Sequence, residues 1–511
     1  MTKLTKAVIL LLVVLLTLGA VAGCSGKTTT PPTSEGEGEG TYKNLIVGYG
    51  GDTEGIDPQF IEATYSFTMC YHVFEPLVLR NFDGEFEGRL AESWELIDDL
   101  TWEFKLRQGV KFHSGNEFNA HAVEAMFDRV YNNDLVVNRY KEDLHFDRCE
   151  IVDDYTIRVK TTEPNPTLLE DIFAFGIGDP AVYEGNYEAI YDVAVGTGPY
   201  KFKEWVRDDH FTIVVNEDYW GDVPEIDEIV FRVIPESSTR VAELLSGGVD
   251  IINNPPIDQI ESLKTATTSV LAASANRDCA LVVNMAIKPF DDVRVRQAIN
   301  YAVDKEAINN ALLGGKAELF GGICMPPNEN TDLKPYPYDP DKAKALLADA
   351  GVTEGTPITL QTTTGRYLRE KEITQAVASY LDDVGFKTTV ELLDYSVMSE
   401  KRNTRTISEL NFIGLGGYFS GIGELAWPRD MVSNNSWVDE QYEAVYQQAL
   451  KTMDDVERKR LTDEAQRIVH DDAVWLFLWR QPTYYGINNR LQGFSSRRDE
   501  FMFFWNCDIV E

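Results

Sequence analysis

The chain is poor in histidine, carries no recognisable catalytic signature and, beyond its first residues, has no apolar run long enough to span a membrane. Its six histidines (His72, His113, His121, His145, His210 and His470) are scattered, so none forms the short spacing of a local metal site. GxSxG and HExxH are absent, which removes the commonest marks of a serine or zinc hydrolase. Positive charge is also short: 47 Lys and Arg against 83 Asp and Glu leave −36, a balance that repels nucleic acid. Six cysteines include no CxxC, and the five after Cys24 (Cys70, Cys149, Cys279, Cys324 and Cys507) cannot all pair within one chain. No disulfide and no cofactor is assigned.

What is present begins with a leader. Lys3 and Lys6 precede an uncharged Leu- and Val-rich run from Ala7 to Gly23, ending Val21-Ala22-Gly23-Cys24. Small residues leading to a cysteine mark a signal peptide (1–23) with a lipobox, and Cys24 is the expected lipidation site. A plain membrane anchor is the alternative, and this run is at the lower limit for a span. Loss of Lys3 and Lys6 with the leader takes the charge from −36 to −38. Residues 25–40, SGKTTTPPTSEGEGEG, contain no large apolar side chain and read as a flexible tether with a reach of roughly 20–25 Å. The remaining ~470 residues are enough for more than one domain.

Periodicity then sets the elements. In TWEFKLR, Trp102, Phe104 and Leu106 alternate with Glu103, Lys105 and Arg107, the two-residue repeat of a half-buried strand. Val110–His113 reads as a second short strand. Asn119 is placed to cap a helix with Val123, Met126, Phe127 and Val130 on one face. Phe67, Tyr71 and Phe74 read as the packing face of another helix. The glycines of GTGPYKFKEW (196–205) read as structural, because no Lys-Ser/Thr follows them. Asp292 opens a long amphipathic helix expected to run to Gly314-Gly315, with Arg294 and Arg296 in hinge or surface ion pairs. Asp339-Pro340 caps a further helix, and strand–helix–strand patterns around 358–392 predict a parallel pairing.

The order of these words resembles solute-binding protein family 5, the peptide and nickel class of extracellular receptors that feed ABC importers. The matching segments are LAESWEL…TWEFKLRQGVKFHSGNEFNAHAV, GTGPYKFKEW, SGGVDIINN (246–254), DDVRVRQAINYAVDKEAI (291–308) and YDPDKAKALLADAG (338–351). The resemblance implies an α/β, two-lobed periplasmic-binding-protein fold of type II. It carries the extra domain of the peptide-binding class, with mixed sheets flanked by helices. Lobe I would comprise 41–75, 180–276 and 486–511, the extra domain 76–179, and lobe II 277–485. It implies no enzymatic activity, a permease and an ATPase as membrane partners, and a monomer held outside the cytoplasm by its lipid.

The resemblance also locates a ligand site. Glu62 and Thr64 match cleft-wall positions of peptide-binding members, with Tyr65 adjacent. Asn253 and Asn254 match a cleft-lining Asn pair, although turn formation explains Asn-Asn-Pro-Pro about as well. Peptide-binding members clamp the ligand ammonium with an Asp in a Trp-x-x-Asp-Tyr loop. The corresponding loop here, 414–423, has neither Asp nor Trp, and its first acid is Glu424. Tyr418, Phe419 and Trp427 offer aromatic faces for stacking, or for packing. Oligopeptide is the default cargo, with oligosaccharide or chelated nickel behind it. A secreted hydrolase and a receptor coupled to a membrane sensor are the rivals from other classes.

Overall fold

A computed structural model describes residues 42–61, 63–81, 84–132, 144–183, 193–363, 366–416, 421–429 and 437–510. One continuous mixed sheet organises the fold. Its strands run, edge to edge, 386–392, 356–362, 410–416, 268–283, 475–488, 251–253, 44–49, 228–233, 210–215 and 200–206. The two central strands, Thr268–Val283 and Trp475–Asn488, are 16 and 14 residues long and pair antiparallel from Thr268↔Asn488 to Val282↔Trp475. That length is unusual, since most strands span 3–10 residues. It lets one pair of strands serve two cores.

Those cores are separate. One gathers Leu45, Val47, Phe231 and Ile251 with the C-terminal Met502 and Phe504; the other gathers Leu281, Ile299, Leu360, Phe412 and Trp475. The pairing of the long strands shifts register between Ser274 and Asp278, at the passage from one core to the other. Each half thus has its own apolar interior, and the connection between the halves is a break in a ladder. Two lobes follow from that arrangement.

The expected parallel unit is present: Thr356–Thr362 pairs in parallel with Phe386–Leu392, and helix Glu370–Asp383 connects them. A separate four-stranded antiparallel sheet (91–98, 101–106, 156–161, 146–153) carries helix Ala120–Tyr131, whose Val123, Met126, Phe127 and Val130 are buried. Asn119 caps it, its side chain accepting from the His121 N–H at 3.0 Å. Phe67, Tyr71 and Phe74 are core residues. In the GTGPY turn a Cβ on Gly196 would meet the Val73 carbonyl oxygen at 2.1 Å, so the glycine permits close backbone approach.

Two local readings are corrected. The helix opened by Asp292 stops at Ala302, and a second runs Lys305–Leu313, because Asp304 caps anew with its carboxylate accepting from the Ala307 N–H at 2.9 Å. Val110–His113 forms no strand; it contributes one bridge, Lys111↔Glu117, around a tight turn. Arg294 lies on the surface paired with Asp292, and the buried Arg296 pairs with Asp472 at 2.8 Å. All five cysteines after Cys24 are free. No helix among the described residues is long and apolar enough to cross a membrane.

Candidate functional site

Open α/β sheets bind ligands beyond the carboxyl ends of their parallel strands. Here Asn44–Tyr49 and Ile251–Asn253 are parallel neighbours, paired Val47↔Ile251 and Gly48↔Ile252. Their carboxyl ends deliver Tyr49, Asn253 and Asn254 to one cavity. From the other lobe, the loop beyond Thr356–Thr362 delivers Arg366 to the same space, and the long strands add Arg277, Thr483 and Tyr485 at their crossing. Thr64, Tyr65 and Glu500 line it as well. The cavity measures about 520 Å³ and lies between the two cores, in the range of small-molecule sites.

Local structure fixes each wall. The Ile56-Asp57-Pro58 turn before Thr64 is held by a buried ion pair: Arg129 donates to both Asp57 oxygens, at 2.9 and 2.6 Å. Such bidentate pairing sets orientation as well as distance. Tyr65 packs edge-on against Tyr49, ring centres 6.1 Å apart. Burial and the nearby Glu54 push the Tyr65 hydroxyl up, so it stays protonated and can donate. Asn254 has φ 46, in the left-handed region, and its backbone N–H donates to the Tyr484 carbonyl at 2.8 Å. On the opposite wall the buried Glu370 accepts from the Arg366 backbone N–H at 2.7 Å and anchors that loop.

The cavity presents charge of both signs. Arg277 Nη2 lies 3.1 Å from Glu500 Oε2, and Thr483 Oγ1 donates to Glu500 Oε1 at 2.8 Å. Burial works against the Arg277 charge, but the Glu500 carboxylate outweighs it and holds the guanidinium protonated. The oxygens of Asn253, Asn254 and the Tyr485 hydroxyl are buried without a hydrogen-bond partner. Unpaired buried polar atoms are rare, and a cluster lining one cavity is what a bound solute would satisfy.

Behind this wall lies a second charged group. Arg480, fully buried, faces Asp278 (3.1 Å), Glu329 (3.1 Å) and Glu318 (3.5 Å), and donates to the Cys324 carbonyl at 3.0 Å. Burial, with Glu329 and Glu318 nearby, pushes Asp278 up to about 7 although Arg480 pulls it down. Burial likewise lifts Glu424 to about 8. Neither acid borders the cavity.

Of the residues singled out in the sequence, the structure brings together Thr64, Tyr65, Asn253 and Asn254. Glu62, Tyr418, Phe419 and Cys24 lie outside the described residues. Trp427 is corrected: it is 1 % exposed in the lobe II core and not on the cavity wall, because the short helix Ile422–Ala426 turns inward beside Tyr442. Tyr49, Arg277, Arg366, Thr483, Tyr485 and Glu500 were not anticipated. They lie on segments that meet only through the long-strand crossing, and no local spacing marks them. Among the described residues no group of three or more His, Cys, Asp or Glu is placed to hold a metal ion.

Two lobes on one sheet, with a polar cavity at their junction, define a receptor that encloses a small solute. The profile of the bacterial extracellular solute-binding proteins, family 5, matches residues 85–423, and the chain belongs to that family. It is 29% identical over 488 residues to the glutathione-binding protein GsiB of Pectobacterium atrosepticum, covering 92% of this chain and 95% of that protein. Its fold is similar to that of the periplasmic binding protein DppA from Helicobacter pylori in complex with the peptide STSA. That match has a TM-score of 0.74 and 25% identity, covering 92% of this chain and 98% of the other. It is also similar to the substrate-binding protein CtaP from Listeria monocytogenes, with a TM-score of 0.84, 21% identity and coverage of 92% and 100%. The chain is therefore an extracytoplasmic solute-binding protein that works with the permease and ATPase of an ABC importer, and not an enzyme.

Proposed function

We propose that the cargo is a small peptide, captured between the lobes and handed unchanged to the importer, and that glutathione is the first solute to test. The observation that carries this reading is the cavity itself. At about 520 Å³ it lies within the range of small-molecule sites. That suits a peptide of a few residues and not a long one. Charges of both signs, with amide and hydroxyl groups between them, match a ligand with charged ends and a polar backbone. The GsiB relatives add the particular solute.

In this reading Thr64, Tyr65, Asn253 and Asn254 contact the cargo, with Glu62, Tyr418 and Phe419 as further wall residues. Lobe I comprises 41–75, 180–276 and 486–511, the extra domain 76–179 and lobe II 277–485, and the protein acts as a monomer. The diacylated Cys24 holds it at the membrane, and the tether lets the body reach the permease beside it. Calorimetry of the purified protein against reduced glutathione, mixed di- and tripeptides and an oligosaccharide pool tests the cargo. Heat with peptides and silence with sugars is expected; the reverse overturns it. Cys24→Ala should release the protein from the membrane fraction, and retention would sink the lipid anchor.

A further inference from the structure

Although the chain carries a net charge of −36, the described residues of the cavity wall include two arginines, Arg277 and Arg366, and one carboxylate, Glu500. The loop expected to carry an ammonium-binding Asp has none, which leaves Glu500 as the acid of the described wall. Its carboxylate has about four lone-pair sites, of which Arg277 and Thr483 use two. Arg277 has five N–H donors, and the described acceptor for them is Glu500. Glu500 is held at φ 64, a left-handed backbone costly for a residue with a side chain. Strain of this kind persists where the surroundings impose it, and it concentrates at ligand clamps. The Tyr485 ring is 1 % exposed, and its unpartnered hydroxyl borders the same space.

We infer that Arg277 and Glu500 together clamp a free α-amino-acid head group, Glu500 accepting from its ammonium and Arg277 donating to its carboxylate. This rests on the small-peptide reading above and narrows it. An ion pair at 3.1 Å presents one negative and one positive partner side by side, so its complement carries an ammonium and a carboxylate on one carbon. A peptide linked through main-chain groups separates those charges to opposite ends. One linked through the γ-carboxyl of an N-terminal glutamate keeps both on one α-carbon, whereas an α-linked glutamate holds its free carboxylate at the end of the side chain. A pair that served only to join strand Thr268–Val283 to the C-terminal segment would be indifferent to how the glutamate is linked.

The test uses two isomers of equal composition and charge, γ-Glu-Cys-Gly and α-Glu-Cys-Gly, titrated calorimetrically into the full chain. The γ-isomer should bind at least about tenfold more tightly, the weight of one charged hydrogen bond. Glu500→Gln and Arg277→Gln should each weaken γ-isomer binding roughly ten- to hundredfold and so remove its advantage over the α-isomer. Glu500→Asp, which keeps the charge, should recover part of the preference and shows that loss in Glu500→Gln is not misfolding. Equal affinity for the two isomers, or full preference surviving in Glu500→Gln, overturns the clamp. If α-linked peptides bind and the γ-isomer does not, the clamp alone falls; if no peptide of either linkage binds, the small-peptide reading falls with it.

Discussion

Replacing Asp278 with Asn should stabilise this protein at alkaline pH, although it removes one partner of a buried ion pair. Asp278 is 1 % exposed, and neither of its oxygens is aligned to hydrogen-bond with Arg480, 3.1 Å away. Arg480 keeps Glu329 and Glu318 when Asp278 is neutralised, so the substitution leaves no bare cation. The energetics follow from linkage. Burial raises the folded-state pKa from 3.8 to about 7, so the unfolded chain releases its proton first. Stability from this group is fully present below about pH 4 and is lost as pH rises to about 7. Three pH units at about 1.4 kcal/mol each amount to ~4 kcal/mol, an upper value because the unfolded chain is not fully solvated. Asn mimics the protonated acid in size and in offering a donor, so near pH 5, just above the unfolded pKa, the variant should be more stable than the wild type by only about 1–2 kcal/mol. At pH 8.5 it should be more stable by about 2–4 kcal/mol. Urea unfolding of both proteins at pH 5, 7 and 8.5 reads the difference directly, and groups common to both cancel. A variant less stable than the wild type at pH 8.5 would show that the Asp278–Arg480 attraction exceeds the cost of burial, and would refute this reasoning.

Other outcomes follow from the same geometry. Trp427→Ala should cost about 3–5 kcal/mol in urea unfolding yet leave cargo affinity unchanged in the folded protein, since the ring fills the lobe II core away from the cavity. His72, fully buried between the Thr68 carbonyl and the Phe504 N–H, is pushed down to about 4 by burial. An NMR titration should find it neutral at pH 5, and its contribution to stability should fade as pH drops from about 6.5 to about 4, opposite in sign to Asp278. Gly196→Ala should lower stability by roughly 1–3 kcal/mol, measured as a shift in the urea midpoint, because its methyl would sit against the Val73 carbonyl.

Much of the site was hidden for a stated reason. Thr64, Tyr65, Asn253 and Asn254 could be singled out because each lies in a word with its own context: an Asp-Pro turn and the helix after it, or a strand ending in Asn-Asn-Pro-Pro. Arg277, Glu500 and Tyr485 lie in ordinary strand and loop sequence, more than 200 residues apart for the pair that matters. Their meeting depends on the C-terminal segment crossing back against the long strand. Trp427 misled for the converse reason: an aromatic beside a presumed binding loop looks the same whether its short helix turns it toward ligand or core.

By itself the sequence determined the α/β pattern and the caps at Asn119, Asp292 and Asp339. All of these depend on residues within one or two turns of each other, where period, charge and capping chemistry act directly. The helix break at Asp304 belonged to that range too, since Asp304 caps its own neighbours. Only the tertiary structure decided that one sheet serves two cores, that Arg277 and Glu500 meet at the cavity wall, and that burial pushes the Asp278 and Glu424 carboxyls up toward neutral pH. Those properties arise from burial and from groups distant in sequence, and neither can be read from a local window.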